Sequence, residues 1–294
     1  MKRIPGLNAP AQGMAVLKPF NVAAHSPDSY LATRWLASLP WWSPFALMAL
    51  MVIWPTLAYA QSNYSTGEAF GALWRWMPFL LWSGFLFNVL ISVLAMAIGT
   101  VAGAALGLAQ ISPLKPLRYA AWFITQLFRN SPWLVLLFIV LLALPFEVTI
   151  FGTTIRIPDW MKGVFGLSLP VMANISEVVR GAVQSVPTAQ WEAAESLAFN
   201  RRQILWQIIL PQCYKRMLPP WMNWYAILTM ATPLCSLLGI EEIITLSRQA
   251  MEAEDNHPEL LVPFFGFALV MFFIYCYPIA RLTMRLERKF AVKL

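Results

Sequence analysis

The sequence predicts an all-α, polytopic membrane protein with about six transmembrane helices. Three observations carry this. Hydrophobic residues make up 59% of the chain and charged residues only 12%, whereas a soluble domain is about half apolar and about a quarter charged. The apolar residues fall in runs of the roughly 20 residues needed to cross a bilayer. The basic residues behind the net charge of +7 are spread through short connections and a tail, a distribution expected of cytoplasmic loops and unlike a nucleic-acid-binding surface. Cys213, Cys235 and Cys276 have no metal-ligand spacing, and His25 and His257 stand alone, so no metal site is expected.

In chain order, residues 1–40 carry Pro5, Pro10, Pro19, Pro27 and Pro40 without any sustained period and read as a cytoplasmic N-terminal tail. Residues 41–60 form an extra N-terminal span that opens on the interfacial pair Trp41-Trp42. Its end, Ala58-Tyr59-Ala60, also fits a signal-peptidase site, but the long preceding tail favours retention. After a polar stretch with Asn63, Glu68 and Arg75, Met77 to Ala109 is apolar, with an interfacial turn expected near Pro78 and the helix proper from about Ser83. Gly99, Gly103 and Gly107, spaced by four, form a stripe for close helix approach. Either a moving contact between two subunits or static packing would use it.

Tyr119 to Pro145 reads as a span interrupted by Arg129-Asn130-Ser131-Pro132. Residues 146–162 mix charges and are placed outside, and Gly163 to Ala182 crosses back to a Glu177–Arg180 pair near the inner interface. Trp221 to about Leu246 crosses out, Ser247 to Glu259 is an acidic external segment, Leu260 to about Leu282 is the last span, and residues 289–294 are a basic cytoplasmic tail. Inside fall Lys2, Arg3, Lys18, Arg34, Lys115, Arg118, Arg129, Arg180, Arg201, Arg202, Lys215, Arg216, Arg281, Arg285, Arg288, Lys289 and Lys293; outside remain Arg75, Arg156, Lys162 and Arg248. This imbalance places both termini in the cytoplasm.

One long polar stretch, Gln190 to Gln212, lies between the apolar runs. On a helix, Glu192 and Glu195 share a face, beside a stripe of Trp191, Ala194 and Ala198. Pro187 suits a helix start because its missing N–H is an unpaired first-turn donor in any case. Glu192-Ala193-Ala194, three residues, the small Ala198, nine residues and then Ile208-x-Leu210-Pro211 resemble the EAA loop of bacterial ABC importer permeases. The flanks GAVQSVPTAQWEAA and ILPQCYKRMLPP resemble the polar amino-acid (histidine, glutamine and opine type) branch, and the resemblance runs over residues 82–288. That family usually has Gly where Ala198 stands; a positive φ there would carry a steric cost, although Asn200 nearby tolerates such a turn.

The resemblance implies a five-helix permease core with a cytoplasmic coupling helix. Glu192, Ala193, Ala194, Glu195, Ala198, Arg201, Ile208, Leu210 and Pro211 would form the ATPase-coupling loop. The implied partners are a cytoplasmic ABC ATPase dimer, a second permease subunit, a periplasmic substrate-binding protein and the lipid bilayer of the bacterial inner membrane. ATP and Mg would sit on the ATPase, with no cofactor on this chain, because it has no G-x-x-x-x-G-K-[ST] run to cradle phosphates. No H-E-x-x-H or G-x-S-x-G motif points to an enzyme. Where the branch typically carries Lys-Asp-Thr/Ser-Ser-Leu, this chain has Met230-Ala231-Thr232-Pro233-Leu234. Asn174, Ser176, Asn223, Thr229 and Thr232 remain as candidate pathway groups. A less polar half of a heterodimeric importer and a homodimer carrying a less polar substrate both fit that pattern.

Overall fold

The computed structural model describes residues 65–150 and 153–290, together with Ser43, Ala46, Ala49 and Leu50. The N-terminal tail, nearly all of the expected span over residues 41–60 with its Ala58-Tyr59-Ala60 site, and residues 291–294 lie outside the described residues. The chain divides into Met1–Pro55 and Thr56–Leu294, and the elements that follow all belong to the second unit.

The first helix, α1, runs from Thr66 to Gln110, 45 residues, about 70 Å at 1.5 Å per residue. Ser65 starts it with a capping box: Glu68 N donates to Ser65 Oγ at 3.2 Å and Ser65 N donates to Glu68 Oε2 at 2.8 Å. The turn expected near Pro78 does not form. The helix passes through Pro78 and then widens to π-type hydrogen bonding over Leu80–Phe85, a shift of register next to the missing proline donor. The polar approach is helical because Ala69, Ala72 and Leu73 on its inner face pack on Leu246, Ala250, Met251 and Phe264 far along the chain.

The interruption expected at Arg129-Asn130-Ser131-Pro132 is present: helices α2 (Lys115–Arg129) and α3 (Trp133–Ala143) meet there at a bend of 106°. Pro132 forces the break, since it disfavours helical φ/ψ at Ser131, while Asn130 and Ser131 turn their side chains back onto Gln126 and Leu127 carbonyls. A hairpin, β1 (Glu147–Ile150) and β2 (Thr153–Arg156), follows with Glu147 opposite Arg156 and Thr149 opposite Thr154. Its β-branched runs Val148-Thr149-Ile150 and Thr153-Thr154-Ile155 carry the strand signal. The charged residues around it had masked that signal.

Helix α4 (Asp159–Gln184) is the hub, packed on α1, α2 and α3 and buried over most of its length. The glycine stripe of α1 lies against it. A Cβ at Gly103 would stand 2.6 Å from Met172 O, and one at Gly107 would stand 2.7 Å from Ser176 O. The stripe is therefore an intrachain contact. Lys162, expected among external loop charges, is fully buried in α4; its Nζ sits 3.3 Å from the Phe146 ring centroid and 3.4 Å from Asp159 Oδ1.

The short helix α5 (Thr188–Ser196) precedes α6 (Arg201–Leu238), which begins twenty residues before the span expected from Trp221. Asn200 and Gln203 form its capping box, and Pro211, Pro219 and Pro220 are carried inside, with a π segment at Ile204–Ile209 just before Pro211. Its last turn tightens to 3-10 over Thr232–Leu238 and stops at Gly239, whose φ of 74° suits glycine. After a 50° bend comes α7 (Ile243–Ala253), and α8 (Pro258–Phe290) closes the unit.

The acidic segment Ser247 to Glu259 is thus half helix. Ser247 and Glu259 are buried, while Glu254 accepts from Arg75 Nη2 at 2.7 Å and from Trp76 Nε1 at 2.9 Å, which holds its carboxyl below the ordinary value. Only Glu252 and Asp255 of its four expected carboxylates stay exposed. The five core spans correspond to α1, α2 with α3, α4, α6 with α7, and α8. Of these, α1 and α8 are long and apolar enough to cross a membrane alone, and the bent pairs raise the number to four. α4 carries Asp159, Lys162, Glu177 and Arg180 and is enclosed by its neighbours.

Candidate functional site

The loop between α4 and α6 is built as a small, separately packed unit. Ala182, Val183 and Val186 at the end of α4, Ala194 of α5 and Ile204, Ile209 and Cys213 of α6 form one buried cluster, with Trp191, Phe199, Ile208 and Leu210 against it. Arg216 Nη1 donates to Ser185 O at 2.8 Å and to Ser185 Oγ at 2.6 Å, which ties the two ends of the loop together. The stripe of Trp191 and Ala194 therefore faces the body of the protein. Glu192, Ala193 and Glu195 form the exposed side of α5, beyond its first turn. Arg201 and Pro211 are also exposed.

Ala198 takes φ = 60°. Its N–H donates to Glu195 O at 2.9 Å and that of Phe199 to Ala194 O at 3.2 Å, the paired bonds of a Schellman helix end with Ala198 at the left-handed position. This explains why glycine is usual there. Asn200 is extended and serves as the cap of α6, so it does not relieve the turn. A Cβ in this region costs about 1 kcal/mol, offset in part by the roughly 0.5 kcal/mol that glycine adds to unfolded-chain freedom. Ala198→Gly is therefore expected to leave the thermal midpoint unchanged or slightly raised and to preserve uptake; a clear drop in either would refute this account.

The candidate pathway groups are mostly engaged with the chain itself. Asn174 Nδ2 donates to Pro170 O at 2.8 Å, and Thr229 Oγ1 donates to Tyr225 O at 2.9 Å. Ser176 is fully buried and bonds Gln110 and Thr125 across α1 and α2. Thr232 accepts from Asn88 Nδ2 at 2.9 Å. Asn223 alone of the five is exposed.

One buried network lay outside the sequence reading, and one expected ion pair gains a further partner. Asn88 of α1 donates to Glu242 Oε2 at 2.9 Å and accepts from Ile243 N at 3.1 Å, while Glu242 Oε1 accepts from Ile244 N and Thr245 N at 3.0 Å. This buried carboxylate caps α7 and ties it to α1 and to the end of α6. The signal was an amide alone in an apolar run, Asn88, and an acidic pair, Glu241-Glu242, between apolar residues. The expected Glu177–Arg180 pair is present at 2.6 Å, and Arg129 adds a second partner at 3.5 Å, bringing the α2–α3 break onto α4.

Residues 99–290 match the family model described as "Binding-protein-dependent transport system inner membrane component". The chain is 31% identical over 183 residues to the probable amino-acid ABC transporter permease protein y4tF of Sinorhizobium fredii, covering 61% of this chain and 77% of that one. It is 27% identical over 211 residues to the L-cystine transport system permease protein TcyB of Bacillus subtilis, covering 71% and 86%. Among solved structures, an amino acid ABC transporter with histidines shares the fold at a TM-score of 0.62 and 23% identity, over 74% of this chain and 96% of that one. The family match spans most of the chain and contains the α4–α6 loop, so the chain belongs to the binding-protein-dependent transport system inner membrane component family, as the permease subunit of an ABC importer whose ATPase activity lies on a separate subunit.

Proposed function

We propose that this permease serves an importer of polar amino acids or related compounds, and that the loop from Pro187 to Pro211 transmits the work of ATP hydrolysis, with ATP and Mg held by the ATPase dimer. The observation that carries the coupling role is the exposed Glu192–Ala193–Glu195 side of α5, held on an apolar plug that joins the ends of two long helices. A rigid mount of this kind turns a push on α5 into movement of α4 and α6. Ala194 acts from the inside, as the seat of α5, and Ala198 as its terminator. Ile208, Leu210 and Pro211 anchor the start of α6, and Arg201 offers an exposed charge beside the docking face. Both termini lie in the cytoplasm, and the binding protein delivers substrate at the opposite surface. The amino-acid assignment is supported by the relatives' names and by the polar amino-acid flanks of the loop.

The main substrate contacts are assigned to a second, different permease. A zwitterion in a low-dielectric passage needs hydrogen-bonding or charged partners, because unpaired burial costs several kcal/mol. Four of this chain's five candidate groups already have partners inside the chain, and Met230-Ala231-Thr232-Pro233-Leu234 carries no charge. The test is uptake by proteoliposomes holding this permease, its ATPase and its binding protein, with and without the second permease. Amino-acid uptake is expected only from the complete set. Robust uptake by the three-component system would overturn the heterodimer, and uptake of an apolar solute in place of an amino acid would overturn the substrate class.

A further inference from the structure

Two clefts, of about 930 Å³ and 310 Å³, open side by side next to α5 and share Gln110, Arg118 and Gln184 in their walls. Arg201 and Arg202 add to the larger and Arg180 to the smaller, and no Asp or Glu lines either. Arg180 is committed to Glu177, but Arg118, Arg201 and Arg202 have no ion-pair partner among the described residues. Gln110 is buried; its Nε2 donates to Thr125 Oγ1 and Ser176 Oγ, while its Oε1 has no hydrogen-bond partner among the described residues.

The roof of the smaller cleft is α2. This helix is strongly amphipathic: Ala121 and Thr125 are buried, while Tyr119, Trp122, Phe123 and Leu127 are exposed. It is bent by 106° away from α3, so it does not continue the direction of that span. Such a helix suits the bilayer interface, with aromatic side chains at headgroup level and basic residues beside them. Arg118 lies against the Tyr119 ring, its Cζ 5.7 Å from the centroid, and so stays directed along this face.

We propose that the Arg118 cleft is a binding site for an anionic phospholipid of the cytoplasmic leaflet, with a hydroxyl-bearing headgroup of the phosphatidylglycerol kind. The phosphate faces Arg118 and the neighbouring arginines, a headgroup hydroxyl supplies the donor that Gln110 Oε1 lacks, and the acyl chains lie along the apolar face of α2. Because the adjoining larger cleft shares Arg118 and is walled by Trp191 and Arg202, a lipid bound at Arg118 braces the mount of α5. The inference rests on the cytoplasmic placement of the loop and not on the substrate assigned to the importer.

The experiment is native mass spectrometry on the complete importer, taken from nanodiscs of phosphatidylcholine with about a quarter phosphatidylglycerol, with ATPase co-purification measured in parallel. Wild type is expected to retain phosphatidylglycerol over phosphatidylcholine, and Arg118→Gln to lose about five-fold of that preference, the factor one basic residue contributes near an anionic surface. Arg118→Lys should keep part of it. The preference in wild type should also fall with added salt as screening shortens toward about 8 Å and below, so the proposal is tested even where Arg118→Gln fails to assemble. An unchanged preference in Arg118→Gln, or no salt dependence, would overturn the site. So would displacement of the lipid by millimolar inorganic phosphate, which would make it a site for a soluble anion. Loss of the ATPase from Arg118→Gln with lipid retention intact would assign the cleft to a protein partner instead.

Discussion

Glu192→Lys is expected to abolish ATP-driven uptake while leaving the membrane abundance of the subunit unchanged. Glu192 is exposed on α5, and its carboxylate makes no ion pair among the described residues. Replacing it therefore removes nothing that holds this chain together, and an exposed helix substitution of this kind changes stability by less than about 0.5 kcal/mol. At a docking face the consequence is different. Reversing a charge that meets a complementary surface costs several kcal/mol, through the lost attraction and the new like-charge contact. At about 1.4 kcal/mol per tenfold, even 3 kcal/mol weakens association by about a hundredfold. The measurements are ATPase co-purification and uptake, each normalised to the amount of permease in the membrane. Normal uptake by Glu192→Lys would remove α5 from the coupling role; reduced abundance would show that Glu192 acts in folding instead.

The apolar runs and the loop motif were legible in the sequence because each rests on a local rule. Span length follows from bilayer thickness, and the loop's spacing follows from a helix that must end at a fixed residue before the next begins. The departure at Ala198 was visible only through the family resemblance, which raised a positive φ as a condition; the backbone at φ = 60° meets it. Helix boundaries were not legible in this way. The turn expected near Pro78 does not form, and Pro211, Pro219 and Pro220 also lie inside a helix: α1 and α6 carry these prolines with π-type bonding nearby and with burial among other helices. Tertiary packing outweighs the lost donor there. Pro132 looked similar and does break its span. The local sequence did not separate Pro78 from Pro132, because the contacts that carry α1 past Pro78 are with residues far along the chain, such as Leu246 and Phe264. Distance in sequence also hid the Asn88–Glu242 cap. Lys162 was missed for another reason, since its partners Asp159 and Phe146 are near in sequence and it is the packing of α4 among its neighbours that buries it.

Gly103→Leu is expected to prevent assembly of the permease, and Gly103→Ala to weaken it. The site lies where α1 and α4 touch along the largest contact in the unit. A single Cβ at residue 103 would stand 2.6 Å from Met172 O and 2.8 Å from Ile175 Cβ, well inside contact distance. The first of these is backbone within a helix, which cannot rotate aside, so the two helices must separate. Overpacking of this order costs about 1–3 kcal/mol for a methyl group, and the three further carbons of leucine have no space to occupy. Separation would also pull Gln110 from Ser176, since both lie on this seam. Gly181→Ala is the control: the same substitution on α4, with nothing within 4 Å of the new Cβ, is expected to be neutral or slightly stabilising through helix propensity. Thermal midpoints and extracted yields of the three variants would be compared with wild type in one detergent. Parity of Gly103→Ala with Gly181→Ala in both would contradict the close contact. A Gly103→Ala protein of normal stability that binds its ATPase but fails to transport would show instead that this seam moves during the cycle.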